Sequence, residues 1–211
     1  IILSGSQSIR TDLAWLHTQG WTQAIAKHLR YGGKVLGIGG GLQMLGEHVN
    51  DPEGLEGKAG CSAGLGLLDL STTLIAQKEL QQVQGTLHIP LDHSTLAADF
   101  SGYTMHNSVS QGSALFRPLA VINGKNAGAI SADNQIAGIA VHGIFDQPAA
   151  CDALLQWAGL DNSDNAVDYQ QHRLAQLDRL ADQVEQCLDT DWLRDLLGLN
   201  PSTDCGANTA P

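Results

Sequence analysis

Positive charge is scarce in this chain: 11 Lys and Arg stand against 22 Asp and Glu, giving a formal charge of −11 and a pI near 4.9. Nucleic-acid binding takes its affinity from clustered Lys and Arg set against phosphates. The basic residues here are scattered, which excludes such a surface. Long apolar runs are missing as well. None approaches the about 20 residues of a membrane-spanning helix, and no signal-peptide pattern is visible. Also absent is the Gly-x-x-x-x-Gly-Lys-Ser/Thr phosphate loop, so ATP chemistry is not expected of these residues. Cysteine is sparse: Cys61, Cys151, Cys187 and Cys205 are widely and irregularly spaced, with no Cys-x-x-Cys pair and no histidine at metal-ligand distance. A zinc or other metal site is therefore not expected, and the four read as reduced and structural, as in a cytoplasmic protein.

What is plentiful is glycine, 24 residues without a Gly-x-y period, which implies many tight turns rather than collagen or a disordered tract. At 211 residues, 43% hydrophobic and 16% charged, the chain can bury one substantial core. Apolar spacing predicts helices over 11–17 and 22–29, with Gly20 between them, a strand over 34–38, and a helix from Leu42 to Val49. Segments 64–74, 82–89, 102–110, 119–122, 127–131 and 135–142 read as strands separated by Gly, Asn, Asp and Pro. Pro148 opens a helix through Trp157, a long amphipathic helix follows over 166–188, and a short one over 191–197. Helices flanking a central, mostly parallel sheet, with an antiparallel excursion in the middle, make a three-layer α/β sandwich. There is no internal repeat. The tail over 199–211 has little to bury and is expected to be disordered.

The most informative stretch is Lys34-Val35-Leu36-Gly37-Ile38-Gly39-Gly40-Gly41-Leu42-Gln43-Met44-Leu45-Gly46. A buried strand, three consecutive glycines and a helix form an elbow that presents one residue at the tip of a tight turn. There a helix N-terminus acidifies a nucleophile, and backbone N–H groups can stabilise an oxyanion. A catalyst carries Cys or Ser at that tip; here it is Gly39. A second candidate is His142, which closes the apolar run Ile136–Val141 ahead of Gly143. Its imidazole is expected at the carboxyl edge of the sheet, where open α/β sheets bind ligands.

This elbow resembles the Gly-Ile-Cys-Gly-Gly-x-Gln-Met-Leu-Gly segment of class I glutamine amidotransferases of the cobyric acid synthase branch, with Gly39 in the cysteine's place. The likeness continues through Asp51-Pro52-Glu53-Gly54-Leu55-Glu56-Gly57 and Ala63-Gly64-Leu65-Gly66-Leu67-Leu68-Asp69. It resumes at Gly102-Tyr103-Thr104-Met105-His106, at Val141-His142-Gly143-Ile144-Phe145-Asp146 and at Leu177-Asp178-Arg179-Leu180-Ala181-Asp182. It spans 1–198, which the resemblance makes one amidotransferase domain. A lipid-linked peptidoglycan amidating relative fits the C-terminal helix pattern less well.

The resemblance implies roles. His142 would deprotonate the cysteine and later protonate departing ammonia. Gly5 and Gly40 would offer the oxyanion amides. Gln43 and His106 would contact substrate. Many relatives orient the histidine with Glu two residues on; here that residue is Ile144, as in the cobyric acid synthase branch. Thr104 stands where the family usually has Glu, and Ser4 and Gln7 where it has Pro and Lys. His17, His28, His48, His88, His93 and His172 read as surface or loop residues. Because Ile1-Ile2-Leu3 is a strand already under way, the chain reads as a piece of a longer protein whose upstream part holds the domain's opening strands and an ATP-binding synthetase. The resemblance thus implies no cofactor in these residues, ATP and Mg in the synthetase part, and as partners glutamine, that synthetase and its corrinoid substrate. Two functions stay open: an amidotransferase that feeds ammonia to a corrinoid carboxylate, or a domain of the same fold kept for structure or regulation, which Gly39 favours.

Overall fold

A computed structural model describes residues 1–91, 94–160 and 168–199. It falls into two compact units, the first Ile1–Tyr169 and the second beginning at Gln170. The first unit opens with strand β1 (Ile2–Leu3), helices α1 (Ile9–Thr18) and α2 (Trp21–Arg30), strand β2 (Val35–Ile38) and the elbow helix α3 (Gly40–Leu45). Strands β3 (His48–Asp51) and β4 (Gly60–Ala63) follow, then the long pair β5 (Ser71–Pro90) and β6 (Thr95–Gln111). After a 3-10 turn at Ser113–Phe116 come β7 (Ala120–Ile122), β8 (Lys125–Ala127), β9 (Ala129–Ile130), β10 (Ile136–Ile139), β11 (Val141–His142) and helix α4 (Pro148–Trp157).

The strands form two sheets. The first has the order β1-β2-β10-β9, parallel except for β9. The second runs β11-β6-β5-β3-β4, with β7 also on β5 and β8 on β7, and is antiparallel apart from the β3–β5 pair. This is the α/β class expected, and the β5–β6 ladder is the antiparallel excursion. Apolar side chains of β2, β5, β6, β10 and α4 share one core that includes Leu36, Leu87, Phe100, Ile139, Leu154 and Trp157. All six residues of α3 are buried, with Leu42 and Leu45 packed in a second cluster around Val35 and Ile25, and Met44 in a third with Ile9 and Leu13.

Two expectations around the elbow helix need correction. The elbow helix does not reach Val49: it ends at Leu45, and His48–Asp51 is a strand. Gly46 is extended, the Glu47 N–H donates to Leu70 O at 2.7 Å, and a β-carbon on Gly46 would stand 2.4 Å from that same oxygen. The chain thus passes directly into pairing with the next segment. Residues 64–70 are likewise not strand. Their amides donate to the orphan carbonyls of the helix end, from Leu65 to Met44 O, and from Leu67 and Leu68 to Leu45 O. A helix C-terminus leaves such carbonyls unpaired, and a passing segment can satisfy them only by leaving a ladder.

In the second unit, Tyr169–Cys187 (α5, beginning at the boundary) and Thr190–Leu196 (α6) are helical, α6 capped by the Asp189 carboxylate, which accepts from Trp192 N at 3.0 Å. The expected tail beyond Leu199, with Cys205, lies outside the described residues, as do the first residues of the predicted long helix, up to Val167.

Candidate active site

The elbow arises because β2 is a middle strand, paired with β1 on one side and β10 on the other. The Gly39 N–H still donates to Ile139 O at 2.9 Å, after which the backbone turns at φ 56°, ψ −117° and α3 begins at once. An L-residue holds that conformation only under strain. The turn must also be thin, because a β-carbon on Gly41 would lie 2.0 Å from Leu3 O.

His142 arrives from the other side. The run expected as one strand breaks at Ala140: β10 belongs to the first sheet, whereas β11 pairs with β6 of the second, setting His142 opposite Tyr103. The two rings stack with centroids 5.2 Å apart and planes 18° from parallel. This change of sheet delivers the imidazole to the elbow. A β-carbon at position 39 would lie 2.7 Å from both Cε1 and Nε2 of His142, and one at Gly5 would lie 2.8 Å from Cε1. The half-buried ring therefore occupies the place into which a residue-39 side chain would project.

Beside them is a cavity of about 470 Å³ lined by Gly39, Gly40, Gln43 and His142, with Ser6, Gln7, Met105, Ser108 and Ser110. Gln43 is 8% exposed; its Nε2 donates to Ser108 Oγ at 2.6 Å, and its buried Oε1 has no partner among the described residues. As the first residue of α3, Gly40 has no intrahelical acceptor for its N–H. Gly5 stands next to the elbow, its Cα 3.7 Å from the residue-39 β-carbon position, but the wall of the cavity is made by the following residues, Ser6 and Gln7.

The sequence-predicted residues Gly39, Gly40, Gln43 and His142 thus converge, with Gly5 adjoining. The backbone at His106 lies in β6 opposite Glu79, and its side chain is outside the described part. Thr104 is buried and lines a different cavity, of about 440 Å³. Ile144, two residues after His142, is 1% exposed in the core. Tyr103, Ser108 and Ser110 had no sequence-level role. The only signal for them was strand alternation in a segment already quoted for its neighbours.

Of the other histidines, His17, His48, His88 and His172 are exposed, and His93 lies outside the described residues. His28 is not a plain surface residue: it is half-buried, with Nε2 3.0 Å from Lys34 O and its ring against Gly33. Cys61, Cys151 and Cys187 are free thiols that do not line the cavity. Burial, helped by the neighbouring Asp152, pushes the Cys151 thiol up, away from nucleophilic use. Among the described residues no group of three or more His, Cys, Asp or Glu could hold a metal, and no helix is long and apolar enough to cross a membrane.

Residues 1–150 match the CobB/CobQ-like glutamine amidotransferase domain, and the chain belongs to that family. Similar solved structures include a glutamine amidotransferase, at 14% identity over 75% of this chain and 78% of that one with a TM-score of 0.47. Another is PurLQS from Thermotoga maritima, at 13% identity over 64% and 67% with a TM-score of 0.44.

Proposed function

We propose that this chain is the amidotransferase part of a cobyric acid synthase, and that with Gly39 at the elbow it does not hydrolyse glutamine. In the working form of such a site a thiolate attacks the γ-carboxamide, His142 moves the protons, and free amides hold the oxyanion. Ammonia then passes to a carboxylate of a corrinoid that an ATP- and Mg-dependent synthetase part has activated. The observation that carries this reading is the direction of the residue-39 β-carbon, straight at the imidazole of His142. A cysteine there would meet its base.

The test compares glutamate release by the native chain with that of Gly39→Cys and of Gly39→Cys combined with His142→Ala. Losing a nucleophile removes several orders of magnitude in rate. Gly39→Cys should therefore raise turnover by about 10³-fold or more, and the double variant should return it to background. Turnover by the native chain at an ordinary amidotransferase rate overturns the proposal. In the assembled synthetase, amidation of a corrinoid carboxylate should depend on free ammonium with the native chain and on glutamine with Gly39→Cys.

The second reading, a domain kept for structure or regulation, draws on the same geometry: the imidazole fills the space a nucleophile would need.

A further inference from the structure

We propose that the second cavity of the first unit, the one lined by Thr104, binds a small organic anion: a carboxylate or phosphate head on a short apolar body. It shares only Ala140 with the elbow cavity. The proposal is independent of the elbow chemistry and holds whether or not the chain hydrolyses glutamine.

The strand ladders decide which side chains meet there. Residues directly opposite one another in paired strands share a face, and successive residues of a strand alternate. Val141 stands opposite Thr104, Thr104 opposite Gln81, Gly85 opposite Ile122, and Ile122 opposite Lys125. Gln81, Val83 and Gly85 are each two apart, so all these residues lie on one face, with His142 and Tyr103 on the other. The surroundings of Gly85 agree: its β-carbon position is 2.9 Å from Phe100 Cζ and 3.1 Å from Ile122 Cγ1. The same face carries Leu87 and Phe100 into the core. The cavity is the open end of that face, and Lys125 stands on it together with the buried Thr104.

Donors and apolar groups are both present, and acidic groups are not. No Asp or Glu lines the cavity, in a chain of formal charge −11. Among the described residues no carboxylate pairs with the Lys125 ammonium. Thr104 is 3% exposed, and its hydroxyl reaches Gln81 O at 3.5 Å, long for an O–H donor, so it is only weakly committed. The backbone of Asn126 adds a donor. Asn123 and Gly124 have φ 49° and 76°, the two-residue hairpin turn that makes Ile122 and Lys125 a hydrogen-bonded pair. The next pair, Val121 and Asn126, is then not hydrogen-bonded. The Asn126 N–H therefore points away from β7, and no other described strand pairs with β8. Val83 and Val141 are buried and Ile122 is half-buried, which supplies an apolar floor. Hydrogen bonds to an ionised acceptor are roughly twice as strong as neutral ones, so a charged head is favoured over its amide. About 440 Å³ accommodates such a head with a body of a few carbons.

The experiment follows backbone amide NMR shifts of the native chain as n-butyrate, n-butyl phosphate, acetate, inorganic phosphate or n-butyramide is added. n-Butyrate or n-butyl phosphate should give saturable shifts centred on Thr104, Lys125, Asn126 and Val141; the tighter of the two tells a carboxylate ligand from a phosphate one. The neutral n-butyramide should bind about tenfold or more weaker than that anion. Acetate and inorganic phosphate, which lack the apolar body, should each bind more weakly than the butyl compound with the same head. Lys125→Gln, at an exposed position, should fold as the native chain does and bring anion and amide within about twofold. Lys27→Gln, equally exposed on α2, removes the same charge elsewhere and should leave binding unchanged. The proposal is overturned if neither butyl anion saturates, if the shifts centre on Gly40 and Gln43 instead, if n-butyramide binds as tightly as the anion, or if Lys125→Gln binds like the native chain. Inorganic phosphate and acetate binding as tightly as their butyl counterparts would overturn the apolar body.

Discussion

Two turns of the first unit fix their backbone by opposite means. At the elbow, residues 38–42, no side chain holds the turn: adjacent strands and the closeness of one backbone to another set its shape, as when Gly41 passes Leu3 O. In the loop after β3 a single carboxylate does the work. Asp51 is fully buried and accepts from Leu55 N at 2.7 Å, Glu56 N at 2.9 Å and Arg10 Nη1 at 3.0 Å, while Glu56 accepts from Arg10 N. A turn made by backbone contact can lose a chemical side chain and keep its form, whereas a turn made by one carboxylate cannot. This is how position 39 can be empty while His142, Gln43 and the Gly40 amide remain assembled around it.

The largest effect expected after restoration of the nucleophile comes from Gly41→Val. Its β-carbon would meet Leu3 O at 2.0 Å and Leu3 C at 2.7 Å, both backbone atoms with nowhere to go. Overpacking of this kind costs about 3 kcal/mol or more, so cooperative unfolding in denaturant should be lost or shifted by that amount. A Gly41→Val chain with native stability would break the claim that backbone approach shapes the elbow.

Gly39→Ala should be milder. Only the end of the His142 side chain stands in its way, and the ring can swing off, so the cost reduces to backbone strain of about 1–3 kcal/mol. Displacement of His142 from Tyr103 should appear as a change in ring-current shifts of the imidazole protons. An unfolded Gly39→Ala chain would mean that the elbow no longer accepts any side chain.

The same contrast explains what was legible in the sequence. The α/β class and the place of α4 could be read because apolar spacing and Pro148 are local signals. The elbow and His142 could be read because short blocks carry them. The extent of β5 and β6 could not: residues 75–81 include Gln77, Lys78, Glu79 and Gln81, polar enough to read as a gap, yet they belong to one strand, in which 75–78 form an irregularity between the pairs Leu74–Ser108 and Glu79–His106. Residues 64–68 failed as a strand because their amides go to carbonyls of α3 and of Gly46 and Glu47 just after it, a tertiary fact with no local pattern. The break at Ala140 was hidden in the same way, since a run that changes sheet looks in sequence like one that does not. Arg10 and Asp51, 41 positions apart, left no trace of their pairing beyond the Asp-Pro-Glu-Gly block itself.

Asp51→Asn tests the other turn. Burial alone would raise the Asp51 carboxyl, but donation from Glu56 and Leu55 and the Arg10 guanidinium outweigh it and hold the group below its ordinary value of 3.8. A carboxyl whose folded pKa lies below its unfolded one contributes stability above the unfolded value, and that contribution is lost as pH falls through the folded one. Native chain and Asp51→Asn should therefore differ in Tm at pH 7 and draw together below about pH 4. A difference independent of pH would show that the loop is held by shape rather than by charge.

The smallest effect is expected where charge is present without burial. Arg194 reaches Glu185 at 3.2 Å within the second unit, and the two side chains are 52% and 55% exposed, against 17% and 0% for Arg10 and Asp51. In high dielectric the Coulomb gain is modest and is offset by the entropy of holding two long side chains, so such pairs contribute about 0–1 kcal/mol. Arg194 also lies 3.8 Å from Asp191 one turn back, a contact of the same exposed kind. Arg194→Ala should therefore shift thermal unfolding little, and whatever shift there is should vanish in about 1 M salt, where charges beyond about 3 Å are screened. Arg10→Ala should keep its larger effect in the same salt, because the charge it leaves unpaired is inside the protein. If salt removed both effects equally, burial would not be what separates the two pairs, and the Asp51 loop would have to be held by its backbone, like the elbow.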